Sequence, residues 1–173
     1  HETQPIKDPK EIDALYNYFM QRQNNAKSDV KRYQADRDYM LFHIGLNTAF
    51  RAEDLLQLRV ADVVKGYIQI KENKTGKMQN YRMNKQLHRD ILDYISKYNL
   101  SLYDYLFRGQ MKYFNDRSYI YPINRQRGYR IIHNAGEAIG IPYTFGLHSL
   151  RKTYGYQYIK NGGNVLTLMK MYN

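Results

Sequence analysis

The sequence feature that most constrains the fold is a segment, from about Ala35 to Asn47, that is apolar on nearly every side of a helix. Its large apolar side chains are Tyr39, Met40, Leu41, Phe42, Ile44 and Leu46. A helix with so little polar face is buried, because its apolar area has to be removed from water all round. We therefore expect it to be the centre of the domain. His43 within it is expected to be a packed core histidine and not a metal ligand.

The other predicted helices are amphipathic and carry start or stop signals. The first begins with Asp8 as N-cap, Pro9 at the first helical position and Glu11 completing a capping box. Further helices are expected from Asn84 or Lys85, over about 124–138, over about 147–160 and from Asn164 onward. A chain of 173 residues is long enough for one domain with its own core. We assign residues 9–173 to that domain and residues 1–8 to a linker remnant.

One pair of segments has the alternation of a β-hairpin. Residues 63–70 and 79–83 alternate apolar and polar side chains, and the polar turn between them contains Gly76, which accommodates a positive φ. The hairpin tip would carry Lys74 and Lys77. The predicted fold class is therefore mainly α, with a small antiparallel β-sheet that is either this hairpin or three-stranded.

The charge favours a polyanionic partner. Lys and Arg number 27 against 16 Asp and Glu, a net charge of +11. Nucleic acid is favoured over a membrane, because no long basic amphipathic helix and no apolar run of membrane-spanning length are present. An AT-rich genome would also enrich Lys, Tyr, Asn and Ile. Residues 101–122 are expected to be loop-rich, and their mixed basic and aromatic side chains suit nucleic-acid contacts and a solvated surface equally. The absence of cysteine excludes disulfides and thiolate metal sites and suits a reducing cytoplasm.

Two further features, besides the hairpin lysines, suit phosphate chemistry. His148 and Arg151 lie three residues apart, on one face of a predicted helix. A guanidinium fork beside a titratable imidazole suits a phosphate that undergoes reaction. Arg51 is predicted in the first turn of a short helix, where the helix dipole also stabilises an anion. Each feature is ambiguous alone, since Arg51 could equally pair with Glu53 or Asp54.

Taken together and in this order, these segments resemble the catalytic domain of tyrosine recombinases, the phage integrase family. The matching residues are Arg51 with the acidic Asp54 three places on, Lys74 (or Lys77) in the hairpin, and His148 with Arg151 in the late helix. The resemblance covers residues 9–173, and the joint pattern is far more specific than any single part.

The resemblance implies a reaction on double-stranded DNA. A tyrosine hydroxyl attacks a phosphodiester and leaves a 3′-phosphotyrosine and a free 5′-hydroxyl, with no metal, nucleotide or other cofactor. The implied roles are phosphate binding by Arg51 and Arg151, general acid catalysis by Lys74 (or Lys77), hydrogen bonding or proton transfer by His148, and bracing of Arg51 by Asp54. Further DNA contacts are expected from Lys77, Arg125, Arg127 and Lys152. The family implies a cytoplasmic phage or transposon integrase that assembles as a tetramer on DNA.

The nucleophilic tyrosine is expected to be missing from this sequence. In the family it follows a Gly-His or Gly-Trp pair that lies well beyond the second arginine. Tyr172 aligns best with the position just before that pair, and is therefore a poor candidate. We expect this sequence to bind DNA weakly, as a monomer, and not to cleave it.

Two other functions fit the same residues. One is a recombinase-like module that holds DNA without any catalysis, and the other is a type IB topoisomerase-like enzyme that shares the chemistry without exchanging strands. A metal-dependent nuclease is disfavoured, because the carboxylates form no cluster in the sequence that would hold Mg²⁺.

Overall fold

Helices predominate in the computed structural model, which describes residues 2–71, 75–114 and 117–172. The elements are α1 (Pro9–Asn25), α2 (Asp29–Leu46), α3 (Ala52–Leu56), α4 (Val60–Val63), β1 (Tyr67–Lys71), β2 (Met78–Arg82), α5 (Lys85–Lys97), β3 (Arg108–Phe114), β4 (Arg117–Pro122), α6 (Arg125–Ala138), α7 (Leu147–Lys160) and α8 (Val165–Met171). The predicted fold class, mainly α with a small antiparallel β component, is confirmed.

Helix α2 lies at the centre of the domain, as its apolar sequence predicts. It packs against α1, α3, α5, α6 and α7. Leu41 and Phe42 are fully buried, and Phe42 stacks on Phe19 of α1 with ring centroids 5.0 Å apart. His43 is hydrogen-bonded within this core, through Nε2 to Asp90 Oδ2 at 2.8 Å and through Nδ1 to the Tyr16 hydroxyl at 2.7 Å. His43 is therefore the packed histidine that the sequence predicts.

Helix α2 begins at Asp29, earlier than the predicted start near Ala35. Ser28 is its N-cap, and the Ser28 hydroxyl accepts a hydrogen bond from the backbone N–H of Lys31 at 3.1 Å. The added residues are mostly exposed, so they lack the apolar spacing that would have revealed them as helix.

The strands form two separate antiparallel hairpins, β1–β2 and β3–β4, and not one three-stranded sheet. The first hairpin is the predicted one. The second lies within residues 101–122, so the prediction of a loop-rich segment is wrong there. Its residues include Tyr119, Ile120 and Tyr121, whose aromatic or β-branched side chains favour strands, while the interspersed basic residues disguise the alternation. A bulge interrupts the pairing between Arg108 and Met111.

A buried charged cluster ties α1 and α2 to the start of β3. The Asp38 side chain is fully buried and accepts hydrogen bonds from Arg22 at 2.8 Å and from Arg37 at 3.0 Å. Arg37 is 4% exposed, and its Nη1 donates to the backbone carbonyl of Arg108 at 3.0 Å. The cluster therefore fixes the position of the second hairpin relative to the helical core.

Residues 2–8, expected to be a linker, contain no helix or strand but pack along the domain. Ile6 is fully buried, and its N–H donates to Thr153 Oγ1 at 2.8 Å. The Gln4 N–H donates to the Thr144 carbonyl at 3.2 Å. This segment reaches α7 and brings Thr3 to the edge of the site described below.

The helices in the described part of the chain include none with the length and apolar character that a membrane span requires.

Candidate functional site

Two arginines that are far apart in the sequence converge on one oxygen atom. Arg51 is the N-cap residue of α3, and Arg151 lies in the second turn of α7. The Nη2 atom of Arg151 donates to the Tyr172 carbonyl oxygen at 2.8 Å, and Nη2 of Arg51 approaches the same oxygen at 3.5 Å. Arg151 Nε also donates to the Ala49 carbonyl at 3.0 Å, which fixes the orientation of its guanidinium. This arginine pair has the geometry to hold an anionic oxygen.

Close packing of α3 and α7 on the central helix brings the arginine pair together. Leu55 of α3 and Leu150 of α7 are buried against Gly45 of α2, which has no side chain to hold them away. A Cβ at Gly45 would lie 2.7 Å from Leu150 Cδ1 and 3.1 Å from Leu55 Cδ2. The small residue at position 45 thus sets how closely the two arginine-bearing helices approach α2.

Gly45→Ala is therefore expected to lower the free energy of unfolding by about 1–3 kcal/mol, because the added methyl overpacks this contact. Urea unfolding followed by circular dichroism measures the effect. Gly140→Ala is not a suitable control, since Gly140 has a φ of 79°. Ala61→Gly on α4 instead controls for general sensitivity to a Gly/Ala exchange in a helix. A Gly45→Ala variant as stable as the wild-type chain would contradict the packing argument.

The site is strongly cationic and partly buried. Burial lowers the pKa of the Arg151 guanidinium, and the Arg51 charge lowers that pKa further, while the Asp54 carboxylate acts in the opposite direction. The Arg151 guanidinium nevertheless keeps its charge, because arginine is not deprotonated in proteins. Two like charges directed at one point favour an anion between them.

Tyr172 contributes its backbone carbonyl to the arginine pair and directs its hydroxyl elsewhere. The hydroxyl donates to the Arg151 carbonyl at 2.7 Å, and the ring lies under the Arg151 guanidinium, 4.1 Å from Cζ to the ring centroid. Burial raises the pKa of the Tyr172 phenol. A phenol that is engaged with the α7 backbone and has a raised pKa is poorly placed to act as a nucleophile at the arginine pair.

His148 lies in the first turn of α7 and is exposed. It borders two recesses. One, of about 470 Å³, is shared with Arg151, Lys152 and Tyr172. The other, of about 570 Å³ and here named the His148 recess, is lined by Thr3, Ala52, Arg125, Gln126, Tyr129, Arg130, Gly146, Leu147 and His148. Among the described residues the His148 ring has no hydrogen-bond partner, so it is available to a ligand in either recess.

The remaining predicted site residues differ in whether their side chains form ion pairs. Asp54 is exposed on α3 and forms no ion pair with Arg51 in the described part of the chain. Arg125 pairs with Glu53 at 3.2 Å, at the rim of the His148 recess. Asp54 acts on the Arg151 guanidinium through its charge.

Lys152 is engaged by the N-terminal segment, because its Nζ donates to the Thr3 carbonyl at 2.6 Å and to Glu2 Oε1 at 3.1 Å. Arg127 is exposed near the start of α6. Lys77 is exposed in the turn before β2, while Lys74 lies outside the described residues.

Sequence reasoning did not single out Tyr129 as a site residue or place Arg130 beside His148. Both lie on α6 and line the His148 recess together with Gln126. Their spacing of three and four residues from Gln126 marks one helix face and could have identified the group. Among the described residues no three His, Cys, Asp or Glu side chains lie together in a way that could hold a metal ion.

Known proteins match this chain in sequence and in fold. The model of the "Phage integrase family" matches residues 8–173. The chain is also 30% identical, over 174 aligned positions, to the "Probable integrase/recombinase YoeC" of Bacillus subtilis (strain 168), covering 100% of this chain and 84% of that protein.

Solved structures share the fold. XerA recombinase superposes with a TM-score of 0.68 at 20% identity, over 99% of this chain and 57% of that one. XerH site-specific recombinase bound to its difH substrate gives 0.66 at 16% identity, over 99% and 47%. The catalytic domain of bacteriophage HP1 integrase gives 0.60 at 17% identity, over 98% and 80%. The chain thus spans about half the length of the two Xer recombinases.

Proposed function

This chain belongs to the phage integrase family, and from that premise we propose that it is the catalytic domain of a site-specific recombinase acting on double-stranded DNA. The observation that carries the proposal is the convergence of Arg51 and Arg151 on one carbonyl oxygen. A DNA phosphodiester presents two non-bridging oxygens, which also accept hydrogen bonds and which share a full negative charge. The Tyr172 carbonyl stands in for such an oxygen in the absence of DNA.

The arginine pair binds the non-bridging oxygens of the scissile phosphate. Negative charge on these oxygens grows in the transition state, so guanidiniums held in place before the reaction lower the barrier. Arg151 is held by Ala49 and by the packing of α7, and therefore needs little reorganisation on binding.

His148 lies one helical turn before Arg151 and borders the same recess, so it hydrogen-bonds the phosphate or transfers the proton of the attacking hydroxyl. Lys77, in the turn before β2, or Lys74 protonates the departing 5′-oxygen. The phosphodiester bond energy is retained in a phosphotyrosine, so rejoining needs no nucleotide cofactor.

The nucleophile is a tyrosine other than Tyr172, because the Tyr172 hydroxyl is directed to the α7 backbone. The present sequence is therefore proposed to bind duplex DNA, as a monomer, without cleaving it. Related structures support DNA as the partner, because XerH recombinase is bound to its difH substrate and the Tn1549 transposon integrase is in complex with circular intermediate DNA. We place the reaction in the cytoplasm and propose that a full-length recombinase containing this domain, called here the native protein, acts as a tetramer on DNA.

Tyr172→Phe is accordingly expected to leave DNA cleavage by the native protein within about threefold of wild type, since the lost hydroxyl donates to the Arg151 backbone carbonyl and not to the substrate site. The measurement is the yield of covalent protein–DNA complex on denaturing gels with a nicked duplex substrate. Loss of the covalent complex in Tyr172→Phe, with folding unchanged by circular dichroism, would identify Tyr172 as the nucleophile and overturn the assignment.

Duplex binding tests the proposed function directly. Fluorescence anisotropy with a labelled 30-base-pair duplex is expected to show binding that weakens in Arg51→Gln and Arg151→Gln. Arg89→Gln on α5, an exposed arginine that lines none of the recesses described above, is the matched control and should bind like wild type. No duplex binding by the wild-type chain, or equal binding by all variants, would contradict the proposal. Joining of strands between two duplexes by the native protein separates recombination from topoisomerase-like relaxation.

A further inference from the structure

Tyr172 contacts Arg151 through three parts of one residue. Its carbonyl oxygen accepts from Arg151 Nη2 at 2.8 Å, and its hydroxyl donates to the Arg151 carbonyl at 2.7 Å. Its ring centroid lies 4.1 Å from Cζ of the guanidinium. A cation at this distance over an aromatic ring is attracted by the negative face of the ring. The ring therefore acts on the guanidinium separately from the carbonyl, which stands in for a phosphate oxygen.

The ring contact is additional to the hydrogen bonds of the guanidinium. Nε donates to the Ala49 carbonyl at 3.0 Å, and Nη2 faces the oxygen that Arg51 also approaches at 3.5 Å. Both of these nitrogens are directed at carbonyl oxygens and not at the ring. Attraction to the ring therefore does not take a donor away from the anion site.

Arg151 lies in an environment that favours its movement toward water. It is partly buried and lies beside the like charge of Arg51. Both conditions disfavour a charged group, so a guanidinium without further support would turn outward. An aromatic face stabilises a partly dehydrated cation more than a fully hydrated one. The Tyr172 ring thus favours the inward position, in which Arg151 and Arg51 meet.

Gly155 makes room for the Tyr172 phenol on α7. Gly155 is buried within that helix, where glycine is intrinsically less favourable than alanine. A Cβ at position 155 would overlap the Tyr172 hydroxyl oxygen and lie 3.2 Å from Cζ of the phenol. The Tyr172 N–H donates to the Leu168 carbonyl at 3.0 Å, so the last turn of α8 also fixes the residue. The absence of a side chain at position 155 therefore allows the ring to lie against α7.

We propose that Tyr172 is a positioning residue for Arg151, whose aromatic ring holds the guanidinium at the anion site, and that Gly155 admits the ring. A phosphate replaces the Tyr172 carbonyl at Nη2, while the hydroxyl keeps the ring tied to α7. This inference rests on the proposed function, because it takes Arg151 as a residue that binds the reacting phosphate. The ring has this role without being the nucleophile, since its hydroxyl is not consumed.

A substitution series at position 172 of the native protein tests the role of the ring. Tyr172→Leu is expected to slow single-turnover formation of the covalent complex by about tenfold, as expected for the loss of one partly buried cation–π contact. Its affinity for duplex DNA should remain within about threefold of wild type, because the charge of Arg151 is retained. Tyr172→Phe keeps the ring and should restore most of the rate.

Tyr105→Leu is the matched control for this series. Arg59 Cζ lies 4.0 Å from the Tyr105 ring centroid, and neither residue lines the recesses beside the arginine pair. Tyr105→Leu should therefore cleave at the wild-type rate. A wild-type rate in Tyr172→Leu, or an equal loss in Tyr172→Phe and Tyr172→Leu, overturns the inference. If Arg151→Lys still slows cleavage in that case, the proposed function is unaffected.

Nuclear magnetic resonance of the present chain tests the position of the guanidinium without any activity. The Arg151 Nε–H signal is identified by its loss in Arg151→Lys. Tyr172→Leu is expected to shift this signal downfield, because the shielding by the ring is lost, whereas Tyr172→Phe should retain its position. An unchanged signal in Tyr172→Leu overturns the positioning role.

Gly155→Ala tests the same contact from the other side. The added methyl is expected to displace the ring and to shift the Arg151 Nε–H signal in the same direction as Tyr172→Leu does. Combining Gly155→Ala with Tyr172→Leu should cause little further change, because both substitutions act through one contact. A Gly155→Ala variant with the wild-type signal, or a double variant in which the two shifts add, overturns the proposed role of Gly155.

Discussion

Arg151→Lys in the native protein is expected to slow DNA cleavage by about 10²–10³-fold, the usual effect of removing one preorganised donor from a developing oxyanion. Arg151 donates from Nε to the Ala49 carbonyl and from Nη2 to the Tyr172 carbonyl oxygen. One nitrogen therefore holds the planar guanidinium in place while another faces the anion site. A lysine ammonium is a point charge on a flexible stem and cannot reproduce this geometry. The single-turnover rate of covalent complex formation is the measurement.

The affinity of the variant for duplex DNA distinguishes a slower cleavage step from a general loss of DNA binding. Because the charge is retained, the affinity of Arg151→Lys for duplex DNA should remain within about tenfold of wild type while the rate falls much further. Arg89→Lys, on exposed α5, is the matched control and should cleave at the wild-type rate. A wild-type cleavage rate in Arg151→Lys would show that the arginine pair does not bind the reacting phosphate.

Asp38→Asn is expected to lower the free energy of unfolding by about 3–5 kcal/mol, the typical effect of breaking a buried ion pair from one side. The change is nearly isosteric but leaves Arg37, whose side chain is 5% exposed, without a counter-charge. Arg22 also loses its partner, although at 38% exposure water can partly replace it. Urea unfolding measured by circular dichroism tests the effect.

Asp29→Asn is the control for Asp38→Asn. Asp29 pairs with Arg32 on the surface, at 3.1 Å, and an exposed pair contributes only about 0–1 kcal/mol. If both variants unfold at the same urea concentration, the buried cluster does not anchor the second hairpin. Asp38→Asn should also disturb the start of the second hairpin, since Arg37 donates to the Arg108 carbonyl.

The sequence-based predictions of helix starts and of the first turn depend on interactions between residues that are close in the sequence. Asp8 caps α1 through its side chain, which accepts from the Lys10 N–H at 2.9 Å, and Asn164 caps α8 in the same way. Gly76 adopts the positive φ of 70° that the first hairpin turn requires. Capping and turn residues act within a few positions, so the sequence alone reveals them.

The second hairpin and the early start of α2 were not predicted, because neither leaves a clear pattern in its own stretch of sequence. Strand pairing between β3 and β4 is decided by cross-strand contacts and by the anchoring of Arg108, not by alternation within either segment. The first turns of α2 are polar and exposed, so neither their periodicity nor their composition distinguishes them from a loop.

By itself the sequence determined the buried central helix, the basic character of the chain and the identity of the residues that resemble an integrase active site. Only the tertiary structure decided that Arg51 and Arg151 share an oxygen, because their distance depends on how closely α3 and α7 pack on Gly45. The structure also decided that Lys152 pairs with Glu2 and that Arg125 pairs with Glu53. Local propensity acts through neighbouring residues, whereas a site is formed by side chains from separate elements that meet only after the core has packed.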